Sequence, residues 1–363
     1  MKSKNNTPQD SLSFGDAEYT FTDMAKEEVV FDEDEFADDI FDALDNEDGP
    51  KHGRKKWNIH IIFFILAACV LLFAVVRLVI WNMGEDSGYD PTADTSEFDT
   101  EPLDYIQPLN STQLADKPID DKTTILCLGN STFADNGSEN PFACALAETM
   151  DATVLNAGFA DSFQSQKNAE YTVSYPEDGI SLYQVTKALT TGDFSIVDEA
   201  AAAVSPAAVV KAEEIKEFDM SSVDMILIMY DISDYIEKRP AYDPGNPDNL
   251  LTYCGTLSSS IKLIQEKYPY IRIVVLSTPA CGKTVDDYYV DGNIHDLGNG
   301  TLTDYMGHEV NVAVTNGVSY IDTFFGVINV ENRDQYLYDD YHINEAGGKA
   351  LAERVAKLIV LNE

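Results

Sequence analysis

The chain has 363 residues, with 24 Lys and Arg against 63 Asp and Glu and a formal net charge of -39. That excess excludes nucleic acid as a partner, because phosphate binding needs a cationic surface that releases counterions, and it disfavours an anionic polymer as substrate. Hydrophobic residues make up 44 %, enough for a sizeable core.

Residues 1–50 are acidic and poor in basic residues, and read as a disordered cytoplasmic tail. Within it Phe31, Phe36, Ile40 and Phe41 interrupt an acidic block, a pattern that also fits a docking segment for a cytoplasmic partner. Residues 51–84 hold a basic cluster, Lys51, Arg54, Lys55 and Lys56, and then an apolar stretch from Trp57 to Trp81. Roughly 20 apolar residues span a bilayer as a helix, and this stretch reaches that length if Arg77 snorkels to the interface. The basic cluster lies on the N-terminal side, so the positive-inside rule keeps the tail in the cytoplasm and exports the chain beyond Trp81. A cleaved signal peptide is the competing reading, but the long acidic tail is unlike a normal n-region and no small-x-small cleavage site precedes the polar stretch. Leu66-Ala67-Ala68-Cys69 looks like a lipobox, yet the sequence stays apolar after Cys69, so Cys69 is read as membrane-buried. These features make the chain a single-pass protein of the cell membrane. Residues 85–120, with Pro91, Pro102, Pro108 and Pro118 among Asp, Ser and Thr, read as a disordered stalk.

From 121 to 363 apolar runs alternate with helical patterns. Thr123-Leu128, Ala152-Asn156, Met225-Tyr230, Ile271-Leu276 and Val318-Ile321 are short and continuous enough to be strands buried on both faces. Helices are expected over Pro141-Met150, with Asn140 as cap and Pro141 at the first helical position, over Asn249-Lys267, over Thr303-Val314 and over Asn344-Leu361. This alternation implies a three-layer α/β/α domain around a parallel sheet. Cys127, Cys144, Cys254 and Cys281 fit buried thiols as well as disulfides, and spacing fixes no pairing. The acidic groups at 286–291 and 243–248 depart from the EF-hand pattern; no metal or cofactor is assigned. Tyr288, Tyr289 and Tyr305 fit either a sugar-stacking rim or the core.

Ligands of such sheets bind beyond the carboxyl ends of the strands. Ser131 follows the first strand, Gly158 the second, Asp231-Ile232-Ser233-Asp234 the third, and Asp339 with His342 the fifth, so four distant loops meet on one rim. A serine needs a base and the base an orienting carboxylate. Asp339 stands three residues before His342, close enough for its carboxylate to reach Nδ1. The other histidines of this domain, His295 and His308, have no acid at that spacing.

On these residues the domain resembles the SGNH/GDSL hydrolase superfamily over nearly all of 121–363. Gly129-Asn130-Ser131 matches the family's Gly-Asp-Ser block with Asn130 for the aspartate, and Asn156-Ala157-Gly158 matches the glycine block. In the third block, Gly-x-Asn-Asp, Asp231 stands for the glycine and Ser233 for the asparagine; Asp339 to His342 is the faithful last block. The resemblance implies Ser131 as nucleophile, His342 as general base and then acid, Asp339 as orienting acid, and an oxyanion hole from the amides of Ser131 and Gly158 with Ser233 in the asparagine's place. Asp234 is expected to brace the loop. No Gly-x-Ser-x-Gly elbow exists, against an α/β-hydrolase.

The implied function is a membrane-anchored, outward-facing serine esterase working through an acyl-enzyme on an ester-bearing substrate, with O-acyl groups of cell-envelope glycans as the expected class. Acyl transfer would use the same triad. The alternatives are a glycan- or protein-binding surface domain whose oxyanion hole has decayed, favoured by Asp231 and Ser233, and a sensor signalling through the tail. The Asn130-Ser131-Thr132 sequon favours a bacterial surface, since glycosylation there would threaten the nucleophile.

Overall fold

The computed structural model describes residues 66–75, 101–115, 117–118 and 122–360. These fall in two units divided between Ala93 and Asp94. In the first, 66–75 form a helix with exposed side chains. The rest of the expected 57–81 span, like the acidic tail, lies outside the described residues, among which no helix is long and apolar enough to cross a membrane.

The second unit is built on a five-stranded sheet. Strands β1 (Thr124–Gly129), β2 (Thr153–Asn156), β3 (Met225–Met229), β4 (Arg272–Leu276) and β7 (Ser319–Ile321) lie in the order β2-β1-β3-β4-β7. Every pairing is parallel. Every residue of β1, β3 and β4 is buried, which is why these runs carry aliphatic residues continuously instead of alternating. Helices α1 (Pro141–Thr149), α2 (Leu182–Thr191), α3 (Ser195–Val204), α4 (Pro206–Lys216), α5 (Tyr253–Lys267), α6 (Leu302–Asn316) and α7 (Glu345–Val360) supply the remaining layers. Asn140 caps α1 through Ala143 N, with Pro141 at its first position. A capping box of Thr301 and Asp304 starts α6, and Gly317 ends it at φ 65.

The chain leaves β1 for β2 on one side and returns to β3 on the other. The crevice between the carboxyl ends of β1 and β3 is therefore the topological switch point, where such sheets bind ligands.

One feature departs from the sequence reading. Residues 101–115 and 117–118, inside the expected stalk, are docked on the domain: Tyr105 forms an antiparallel bridge with Tyr320 of the edge strand β7, and Leu103 N donates to Asp322 Oδ2 at 2.9 Å. Asp104 meets Arg354 at 2.7 Å and Lys117 meets Asp224 at 2.9 Å. The segment covers an otherwise open sheet edge, which its prolines concealed because they mark linkers and edge strands alike. The acidic group at 286–291 is a hairpin of β5 (Gly282–Val285) and β6 (Tyr288–Asp291); Asp286 and Asp287 form its two-residue turn at φ 51 and 66. Tyr305 is core, edge-on to Tyr235 and Tyr253, and Tyr289 lies under Arg333, so the three tyrosines share no rim. Cys127, Cys254 and Cys281 are buried free thiols and Cys144 an exposed one.

Candidate active site

Gly129 ends β1 opposite Met229 of β3, where a Cβ would run into the Met229 carbonyl. That close approach sets the loops after the two strands side by side. Asn130, buried, joins them in both directions: its Nδ2 donates to Asp231 Oδ1 at 2.7 Å and its Oδ1 accepts from Asp231 N at 2.9 Å. Ser131 then opens the single turn Ser131–Ala134. Asn140 ties this turn to α1 through Thr132 O at 2.9 Å and Asp135 O at 3.1 Å.

The Ser131 hydroxyl donates to Asp231 Oδ2. A hydroxyl has one proton, so in this resting arrangement it is committed to Asp231. Asp231 Oδ1 accepts from Asn130 Nδ2, from Ser233 N at 2.8 Å and from Ser233 Oγ. The proton of the Ser233 hydroxyl, expected to face an oxyanion, is thus committed to Asp231. Asp234 next to it is buried and accepts from Gln164 N at 2.9 Å and Ser165 N at 3.0 Å. Burial raises its carboxyl above the ordinary carboxylate range, against the opposing Arg239 charge and those hydrogen bonds. Its place is in the loop scaffold.

His342 sits on a loop closed by the Leu337–Ile343 bridge, with Tyr338 N donating to His342 O at 3.0 Å. Asp339 Oδ2 meets His342 Nδ1 at 2.6 Å, and Asp339 Oδ1 accepts from His342 N at 2.8 Å and Tyr341 N at 3.0 Å. Burial pushes the Asp339 carboxyl up, but these three hydrogen bonds outweigh it and hold the group below its usual value. Asp340, its neighbour, turns away and accepts from Thr284 N at 2.6 Å, clipping the loop to β5. With Nδ1 taken, His342 presents Nε2 toward the cleft that it lines together with Ser131, Asp135, Asp231 and Tyr341.

Gly158 lies at the end of β2, packed so tightly that a Cβ would stand 2.7 Å from Phe133 Cβ and 2.8 Å from Ala134 N. Its N–H donates to Asn156 Oδ1 at 2.9 Å, while Asn156 Nδ2 holds Phe133 O at 2.7 Å. The glycine is thus required by the packing of the Ser131 turn, and its amide is occupied at rest.

Ser131 and His342 therefore meet at one cleft, with Asp339 on the Nδ1 side of the imidazole, whereas Gly158 and Ser233 direct their donors at side chains. Three contributors escaped the sequence reading. Tyr338 and Tyr341 flank the imidazole, with ring centroids 5.4 and 4.1 Å from it. Burial first, and then the Asp231 charge, push the Tyr341 phenol up to about 12. Asp135 stands with Oδ2 4.0 Å from His342 Nε2 and accepts from Tyr338 OH at 2.7 Å. The signal for the tyrosines was their crowding around His342 in sequence; Asp135 carried none.

No family model and no curated protein matches the sequence. Solved structures similar to the chain include a protein from Lactobacillus plantarum at 17 % identity and TM-score 0.44, covering 68 % of this chain and 100 % of that one. A carbohydrate acetylesterase from Sinorhizobium meliloti is similar at 13 % identity and TM-score 0.39, covering 67 % and 100 %. A member of the lipolytic protein G-D-S-L family from Veillonella parvula is similar at 14 % identity and TM-score 0.39, covering 66 % and 98 %. The architecture described above stands on strand order and register, independently of these likenesses.

Proposed function

We propose that the domain is an SGNH/GDSL-type serine esterase that works through an acyl-enzyme. The observation that carries this reading is the 2.6 Å pairing of Asp339 with His342 Nδ1 on a loop whose imidazole shares a cleft with Ser131. In the reaction Ser131 Oγ adds to the ester carbonyl and its proton passes to His342 Nε2, while Asp339 holds the imidazolium. The same proton then leaves on the departing alcohol. Water repeats the sequence in reverse, releasing the acid and restoring Ser131. The Ser131 amide is the first oxyanion donor; the Gly158 amide and the Ser233 hydroxyl join it once Asn156 and Asp231 yield them.

The leaving alcohol in this proposal is a sugar of a cell-envelope glycan. A cleft of about 800 Å³ between α1 and the start of α7 supports it, because Ile343 lines both that cleft and the one at Ser131. Glu139, Glu148 and Glu345 against Lys349 along its walls suit a neutral or cationic chain. The proposal also places the protein in the cell membrane through residues 57–81, its domain outside and its acidic tail toward a cytoplasmic partner.

The test is to expose the full chain to a fluorophosphonate probe and map the label. Labelling of Ser131, absent in Ser131→Ala, supports the assignment; labelling elsewhere or nowhere defeats it. A second reading, a binding domain without turnover, is favoured by the commitment of the Ser131 hydroxyl to Asp231. It requires that neither wild type nor Asp231→Asn hydrolyses any ester.

A further inference from the structure

Asp231 is 7 % exposed and makes no ion pair among the described residues. Its two oxygens are unequally served. Oδ1 accepts from Asn130 Nδ2 and Ser233 N, which stay in place through a reaction at Ser131, and at rest from Ser233 Oγ as well. Oδ2 accepts from the Ser131 hydroxyl. That proton is the one acylation removes: when Oγ bonds to the carbonyl carbon, the proton goes to His342 Nε2 and the ester oxygen left behind donates nothing. The acyl-enzyme therefore strips Oδ2 of this donor, and a buried carboxylate oxygen deprived of a donor is costly. An acetyl group has no N–H or O–H to offer in return. It would also leave the carboxylate facing the negative charge that develops on the carbonyl oxygen.

We propose that Asp231 selects the acyl group, and that the ester taken at this site is an aminoacyl ester whose protonated amine binds Asp231 Oδ2. The inference rests on the esterase reading and narrows it. In an aminoacyl group the amine is one carbon from the carbonyl, so standard bond lengths place it about 3 Å from Oγ. There it replaces the lost hydroxyl with a charge-assisted donor. The surroundings favour the same charge: Asp135 faces the cleft as well, and neither Lys nor Arg lines it. Asp231 thus holds the serine proton before acylation and the substrate ammonium afterwards, while the ammonium offsets the carboxylate's repulsion of the oxyanion.

The experiment compares phenyl acetate with phenyl alaninate at about pH 7, where much of the amine is protonated. Each kcat/KM is divided by the rate constant for hydroxide attack on the same ester, which removes intrinsic reactivity. The full chain, Ser131→Ala and Asp231→Asn are measured. Wild type is expected to prefer the alaninate by on the order of tenfold to a hundredfold. Asp231→Asn should bring the corrected ratio near one and raise acetate turnover, and Ser131→Ala should abolish both reactions. Hydrolysis that depends on Ser131 but shows the same corrected ratio in wild type and Asp231→Asn overturns the role of Asp231 and leaves the esterase reading standing. No Ser131-dependent hydrolysis of either ester by either form overturns both. Should Asp231→Asn not fold, the wild-type ratio decides alone, and a value near one refutes the selection.

Discussion

The loop after β3 and the loop before α7 each present an aspartate whose Oδ1 accepts backbone amides from just downstream, Asp231 from Ser233 and Asp339 from Tyr341 and His342. Both are turn-forming acids, and what separates them is the second oxygen. That of Asp339 meets an imidazole, with the carboxylate side chain 44 % exposed; that of Asp231 takes a serine hydroxyl in a buried crevice. Local sequence makes the turn, and the neighbour brought by the sheet decides its use. In the proposed reaction Asp339 orients the base through its hydrogen bond to Nδ1, whereas Asp231 imposes its charge on whatever binds at Ser131.

The largest effects should come from Ser131, after β1, and from His342 and Asp339 in the loop before α7. Ser131→Ala and His342→Ala are each expected to lower kcat of ester hydrolysis by about 10³-fold or more, and the double variant should be no worse, because the two act as a unit. Additive losses would break the proposed pairing. Asp339→Asn should cost somewhat less, with His342 still present but its tautomer no longer fixed.

Asp234, the acid three residues after Asp231, sharpens the comparison from the side of stability. Asp234→Ala removes the acceptor of the buried Gln164 and Ser165 amides. Leaving a buried donor unserved costs about 1–3 kcal/mol for each. Urea unfolding should show that loss, and an unchanged midpoint would remove Asp234 from the scaffold.

Glu309 on α6 is the contrasting case of a buried acid with no backbone amide to stabilise its charge. Burial raises it from 4.5 to about 8, although Tyr253 OH donates to it at 3.0 Å. The folded state keeps this proton while the unfolded state releases it above 4.5. Its contribution is therefore fully present below 4.5 and is lost as pH rises toward 8. The loss reaches up to about 5 kcal/mol, at roughly 1.4 kcal/mol per unit. Glu309→Gln should flatten the decline in melting temperature between those limits. An identical slope in both proteins would assign the dependence to other groups.

The parts legible from sequence are those in which one strand or one turn carries its own pattern. Continuous aliphatic runs located β1, β3 and β4 to within a residue at each end, because burial on both faces leaves no alternative composition. Asn140 and Pro141 marked the start of α1. Helices α2, α3 and α4 were not anticipated. Ala200 to Ala203 and the stretch after Pro206 give a weak apolar period, and α4 buries only Ala208, Ala212 and Ile215. The Asp339–His342 pair is local, three residues apart, and was readable. Asp231 stood out as an acid in place of a glycine, yet its grip on Ser131 spans 100 residues and depends on β1 and β3 being neighbours.

Asp135 offers the finest division between the two uses of an acid. Its Oδ2 is 4.0 Å from His342 Nε2, too far for a hydrogen bond, and Tyr338 OH holds it there at 2.7 Å. Tyr338→Phe removes that hydroxyl and keeps the ring that stacks on His342. The expected loss is what one hydrogen bond contributes, about 1 kcal/mol or roughly fivefold in kcat/KM. Asp135→Asn should act more strongly, since it deletes the charge itself. If Tyr338→Phe lowers kcat/KM as far as Asp135→Asn does, the hydroxyl is what sets the position of Asp135. If Tyr338→Phe leaves kcat/KM unchanged, Asp135 is held near Nε2 by the Ser131 turn alone.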